Sequence, residues 1–171
     1  NDWNRTMGLL SESKNPIISN IAKMASDLVG VTTEINPQLI RRIAPKAAAG
    51  WSKDTNGIYF RSKKHAGNEH VLAHETTHAL TYFAINNPTA AQKPVVRRLD
   101  NLYRFVKTKL GARGKSVYGL RDLDEFVAEA NSNPDFQKEL SKIAYQKQTA
   151  WGAFTQAVAD LLGIKNSNAL T

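Results

Sequence analysis

The sequence predicts an α+β fold, mostly helical with a small mixed sheet. Apolar residues recur at helical spacing in several stretches, such as Ile17, Ile21 and Leu28, and again Val95, Leu99, Leu102, Val106 and Leu110. Only Gly57-Ile58-Tyr59-Phe60-Arg61 reads clearly as a strand, and Asn56-Gly57 ahead of it is a hairpin signal. That strand leads within a few residues into a helix-like run over 68–83, centred on His74-Glu75-Thr76-Thr77-His78.

With 171 residues, 42% hydrophobic and 22% charged, the chain is long enough to bury a core. The expectation is one domain over 1–171, and an opening Asn1 rather than methionine reads as an excised or processed piece. Residues 1–15 read as a polar lead-in, flexible apart from Trp3, Leu9 and Leu10 as anchors, and 165–171 as a frayed tail. No apolar run approaches the ~20 residues of a membrane-spanning helix, and no signal-peptide pattern stands out. The chain has no cysteine, so a metal site must draw on His, Asp or Glu.

Taken in order, 16–29 reads as a helix opened by Pro16 and stopped by Gly30. Pro37, Leu39, Ile40 and Ile43 mark a short helix or irregular segment. Residues 47–51 and 57–61 read as two strands joined by a turn, and 62–67 as a loop, with Asn68 as helix N-cap. Asn86-Asn87-Pro88 ends the motif helix, and Pro94 opens another that reaches Leu110. Residues 111–116, with two glycines, read as a mobile loop. A short helix over 122–131 and two amphipathic helices over 134–148 and 149–163 complete the chain.

His74 and His78 are four apart, and a helix turns about 100° per residue, so both imidazoles project from one face. Such a pair suits one tetrahedral Zn²⁺, and Glu75 beside it suits the general base of peptide hydrolysis. Val71, Leu72, Ala79, Leu80 and Phe83 give the same helix an apolar side that would bury it. Buried His and Glu side chains need a partner, and a metal ion supplies one.

Two histidines do not complete a zinc site. A glycine at 81 and a histidine at 84 would extend the motif in one known way, but Thr81 and Ala84 stand there. His65 and His70 lie upstream; ligands on three consecutive turns span too far for one ion, so His70 reads as a supporting or exposed residue. Asp124-Glu125-Phe126-Val127-Ala128-Glu129 offers more. Glu125 and Glu129 share one helical face, so Glu125 is the expected third ligand and Glu129 the acceptor that orients a ligating histidine. Asp122 and Asp124 are held in reserve.

His-Glu-x-x-His followed by a separate helix with two acids one turn apart resembles the gluzincin metallopeptidases. Tyr118 with Glu125-Phe126-Val127-Ala128-Glu129-Ala130 is similar to a segment of the anthrax lethal factor catalytic domain, and 131–137 looks like zincin domains of large phage and mobile-element proteins. The resemblance spans about 57–137. It implies a zincin-like fold, zinc on His74, His78 and Glu125, support from Glu129, and Tyr118 as donor to the developing oxyanion. It also implies that Gly57, Ile58, Tyr59 and Phe60 form an edge strand onto which an extended peptide substrate adds. A virion-associated protein, or one delivered into a target cell within a larger chain, would match these relatives.

The formal charge of +8 is concentrated: between Lys93 and Lys115, eight basic residues face only Asp100, a net of +7. This segment is expected to meet acidic substrate or another anionic surface. The competing reading is a non-catalytic zinc-containing or virion-structural module whose basic helix contacts nucleic acid. An intact Glu75 favours the peptidase, since a structural zinc has no use for a base there.

Overall fold

Trp3, Met7 and Leu10 recur at helical spacing, and in the computed structural model they line the buried face of a helix, α1 (Asp2–Ser11). This corrects the expectation of a flexible lead-in: the three side chains are almost fully buried, while Leu9 faces out at 65% exposure. Residues 2–28, 30–114 and 117–163 are described; the predicted tail over 165–171 lies outside them. They divide into two compact units, Asn1–Tyr82 and Phe83–Thr171.

In the first unit α1 packs on α2 (Pro16–Ala25), whose Asn15 cap accepts hydrogen bonds from the Ile17 and Ile18 amides. The Trp3 indole N–H donates to the Ala25 carbonyl at 3.0 Å, so the first helix is fastened to the end of the second. The chain then forms β1 (Thr32–Ile35), α3 (Pro37–Ile43), β2 (Ala49–Ser52) and β3 (Gly57–Phe60). β1 is absent from the sequence reading because Thr32-Thr33-Glu34-Ile35 is mostly exposed and shows no apolar alternation.

The sheet order is β1-β3-β2, with β1 parallel and β2 antiparallel to β3. A mixed sheet is therefore present, but the strand before the motif helix is central. With β1 on one side and β2 on the other, Gly57–Phe60 has no open edge, which corrects its expected role in strand addition. The β2–β3 turn does follow the Asn-Gly signal: Asn56 adopts φ 50°, and its side chain accepts from the Trp51 indole at 3.2 Å. The Arg61 guanidinium secures the loop before β2 through the carbonyls of Ala44, Pro45 and Ala47. Ser62 caps a single turn, α4 (Lys63–Ala66), where a loop was expected.

Helix α5 (Glu69–Asn86) carries the motif, and the Asn68 side chain caps it by accepting from Val71 N at 3.1 Å. Its Leu72 and Ala73 join Trp3, Met7, Ile18, Ile58 and Phe60 in one core. Residues 72–78 are all buried, so the helix is enclosed on every side along this stretch. Phe83, expected on its apolar face, is instead half-exposed.

The second unit is built on α6 (Lys93–Gly114), whose stripe of Leu99, Leu102, Val106 and Leu110 is buried as expected. Gly111 breaks its regularity with φ 53°, a left-handed value that glycine tolerates without cost. A 3-10 turn (Tyr118–Leu120) leads to α7 (Leu123–Ser132), then α8 (Pro134–Lys142). Phe126 is the hub of this core, with the rings of Tyr103, Phe136 and Phe154 at 5.6, 5.9 and 5.6 Å. The helix expected to run to 148 stops at Lys142 and gives way to a hairpin, β4 (Ala144–Tyr145) and β5 (Gln148–Thr149). Gln146, at φ 53°, makes that reversal. The last helix is α9 (Ala150–Leu161), capped by Thr149. No helix among the described residues is long and apolar enough to cross a membrane.

Candidate metal centre

The middle of α5 brings its two motif histidines together. His74 and His78 are 6% and 8% exposed, and their Nε2 atoms lie 3.2 Å apart. With Zn–N bonds of about 2.0–2.1 Å, tetrahedral coordination separates two ligating nitrogens by roughly 3.3 Å. The pair thus has the spacing of two ligands to one ion. Without an ion, the same contact is a hydrogen bond that requires one ring to donate and the other to accept.

Two threonines near the pair satisfy their hydroxyls by folding back on the helix backbone. Thr77 Oγ1 donates to Ala73 O at 2.8 Å and Thr81 Oγ1 to Thr77 O at 2.7 Å. Thr76 is different: its Oγ1 is buried without a hydrogen-bond partner among the described residues. Glu75, 8% exposed, follows His74 and projects about 100° further round the helix. A carboxylate buried to that degree is costly unless a cation or donor meets it.

His70 stands one turn before His74, but it is only partly buried and its ring centre is 6.4 Å from that of His74, against 4.9 Å between His74 and His78. His65 serves local structure, with Nδ1 3.0 Å from the Ser62 hydroxyl.

In the second unit, Glu125 and Glu129 lie on α7 one turn apart, the first partly buried and the second 8% exposed. The reserve ligands have other tasks. Asp122 caps α7 by accepting from Glu125 N at 2.9 Å, and Asp124 accepts from the Asn86 side chain through both oxygens. Tyr118 opens the 3-10 turn, 46% exposed, with the Arg121 guanidinium 5.3 Å from its ring centre. Gly119 lies against Glu129 so closely that a Cβ there would meet the Glu129 Cβ at 2.8 Å.

Two residues of this region escape sequence reasoning. Asn133 reads only as a helix stop, yet its amide Nδ2 donates to Glu129 Oε2 at 2.9 Å. Asn86 likewise reads as a terminus, and it holds Asp124. The one signal in the sequence is Asn133-Pro134, which marks a helix cap and says nothing about a carboxylate one turn earlier.

No protein-family model matches the chain, and neither the curated proteins nor the solved structures contain a match. A functional reading therefore rests on the chain's own residues.

Proposed function

We propose that the protein is a zinc-dependent endopeptidase, with His74, His78 and Glu125 as ligands and Glu75 as general base. The observation that carries this is the buried His74–His78 pair with its nitrogens 3.2 Å apart, on the same helix as a buried glutamate. Two donor sets are weighed among the described residues: His74, His78 and Glu125, as the sequence motifs expect, or His70, His74 and Glu129. The first is preferred, because His70 is the more exposed histidine and its ring is the more distant from His74.

Bound at these residues, Zn²⁺ would supply the Lewis acidity that polarises a scissile carbonyl and acidifies water. Glu75 takes the proton of the attacking water and passes it to the leaving amine. Glu129 accepts a hydrogen bond that fixes the orientation of a ligating histidine. Tyr118, exposed and at the start of a turn, donates to the developing oxyanion. An extended substrate that adds as a strand must use β1 or β2, the two edges of the sheet. The basic face of α6 attracts acidic substrate or another anionic partner.

The decisive experiment is the metal content of the purified protein, wild type beside Glu75→Gln and Glu125→Ala, followed by a peptide-library digest. Near-stoichiometric zinc that survives Glu75→Gln and falls in Glu125→Ala, with cleavage by wild type only, is expected. Zinc retained by Glu125→Ala would point to the His70, His74 and Glu129 set. Zinc without cleavage would favour a structural zinc module, and no zinc after reconstitution would end the enzyme reading.

A further inference from the structure

We propose that Asn133 is a positioning residue for the proposed zinc site, acting through the carboxylate of Glu129. The inference rests on the metallopeptidase reading and adds to it a residue to which that reading gives no role at the metal.

The Asn133 side chain does two things at once. Its Oδ1 accepts from the amides of Asp135 and Phe136, at 3.0 and 3.3 Å, and so caps α8. Because those two donors require an acceptor, the amide can face only one way, and Nδ2 is left pointing at Glu129 Oε2, 2.9 Å away. The Asn133 backbone N–H also closes on the Glu129 carbonyl at 2.8 Å. Asparagine alone has this reach together with one acceptor and one donor. Aspartate would cap without donating, and serine would cap but fall short of the carboxylate.

From the other side, Gly119 confines the stem of the same residue. A methyl group on Gly119 would lie 2.8 Å from Glu129 Cβ, 3.3 Å from its Cγ and 3.0 Å from Phe136 Cε1. Glu129 is 8% exposed; its stem lies against a backbone that admits no side chain, and its carboxylate accepts from the Asn133 amide. One oxygen is fixed by Asn133, which sets the direction of the other. A carboxylate that orients a metal-ligating histidine needs this kind of restraint, and loss of such support typically weakens metal binding about 10–100-fold.

The test compares Asn133→Asp, Asn133→Ala and Glu129→Gln with wild type in the full chain. The readouts are zinc affinity, by competition with a chromophoric chelator, and melting of the metal-free protein. Asn133→Asp keeps the cap and nearly the shape but replaces the donor with a second carboxylate. It is expected to melt lower than wild type when metal-free, because two carboxylates then face each other, and to bind zinc about tenfold or more weakly, in the same direction as Glu129→Gln. If Asn133→Asp binds zinc like wild type while Asn133→Ala only melts lower, Asn133 is a helix cap and the proposal falls. It falls too if Glu129→Gln leaves zinc affinity unchanged. Wild type that binds no zinc overturns this inference and the metallopeptidase reading together; in the other two failures the latter survives.

Discussion

The side-chain amide of Asn86, the last residue of α5, donates to both carboxylate oxygens of Asp124, at 3.0 and 3.2 Å. The end of the helix that carries the histidines is thereby joined to the first turn of α7, one residue before Glu125. A hydrogen bond to a charged group contributes about 1.5–3 kcal/mol when sheltered, and this exposed one should contribute about 1 kcal/mol. Asn86→Ala and Asp124→Ala should each destabilise, and their double mutant should lose less than the sum, with a coupling of about 0.5–1 kcal/mol. Denaturant titration of the four proteins measures it. Strict additivity would show that the bond contributes nothing to stability.

Glu75 separates catalysis from metal binding. If His74 and His78 hold zinc and Glu75 moves the proton, Glu75→Gln should keep zinc and lower the rate of peptide cleavage by about 10²–10⁴. His78→Ala should lose both. Atomic-absorption analysis beside the cleavage assay distinguishes the two variants, and loss of zinc in Glu75→Gln would mean that the glutamate is part of the metal's support.

Thr76 offers a test of packing that leaves the chemistry untouched. Its hydroxyl is buried without a partner among the described residues, whereas Thr77 and Thr81 bond to carbonyls one turn back. Replacing it with the similarly shaped valine removes a desolvated polar atom and should stabilise the protein by about 1 kcal/mol. A lower melting temperature in Thr76→Val would show that the hydroxyl has a partner in solution.

Trp3 gives the largest expected loss. It is 1% exposed, packs with Met7, Ala22 and Ala25 in the core of the first unit, and donates to Ala25 O. Trp3→Ala should cost about 3–5 kcal/mol. Trp3→Phe should recover most of that, because it keeps the ring and gives up the hydrogen bond. Equal losses in the two variants would make the indole N–H the larger contribution.

This N-terminal helix also shows where reading the sequence stops short. Trp3, Met7 and Leu10 have helical spacing, but polar neighbours hide it, and their burial depends on α2 and on the sheet and motif-helix residues of the same core. β1 is concealed for a related reason: an exposed four-residue strand owes its existence to pairing with β3, which its own residues do not encode. That pairing turns β3 from an edge into a centre. The motif helix, by contrast, is legible in type and in its Asn68 cap, and the His74–His78 geometry follows from helical periodicity alone. The roles of Asn133 and Asn86 depend on where one side chain points across a turn or between helices, and no local pattern reports that.

The basic helix can be divided by the partners its charges already have. Arg98 pairs with Asp160 at 2.7 Å and Arg104 with Asp100 at 2.8 Å, while Lys107 and Lys109 lie over the rings of Tyr103 and Phe105. Lys93 and Arg97 are exposed with no acidic partner among the described residues. An anionic ligand reaches these two without breaking an ion pair, whereas Arg98 and Arg104 must first give one up. Each phosphate that the protein ceases to neutralise lowers the slope of log affinity against log salt by about 0.7–0.9. Binding of a single-stranded oligonucleotide, measured by fluorescence anisotropy over a salt series, should therefore drop by about that much in slope for Lys93→Gln and for Arg97→Gln. Arg98→Gln and Arg104→Gln should leave the slope nearly unchanged and cost at most about 1 kcal/mol of stability, the worth of an exposed pair. Equal effects from all four would mean that the ligand responds to total charge and not to the unpaired cations.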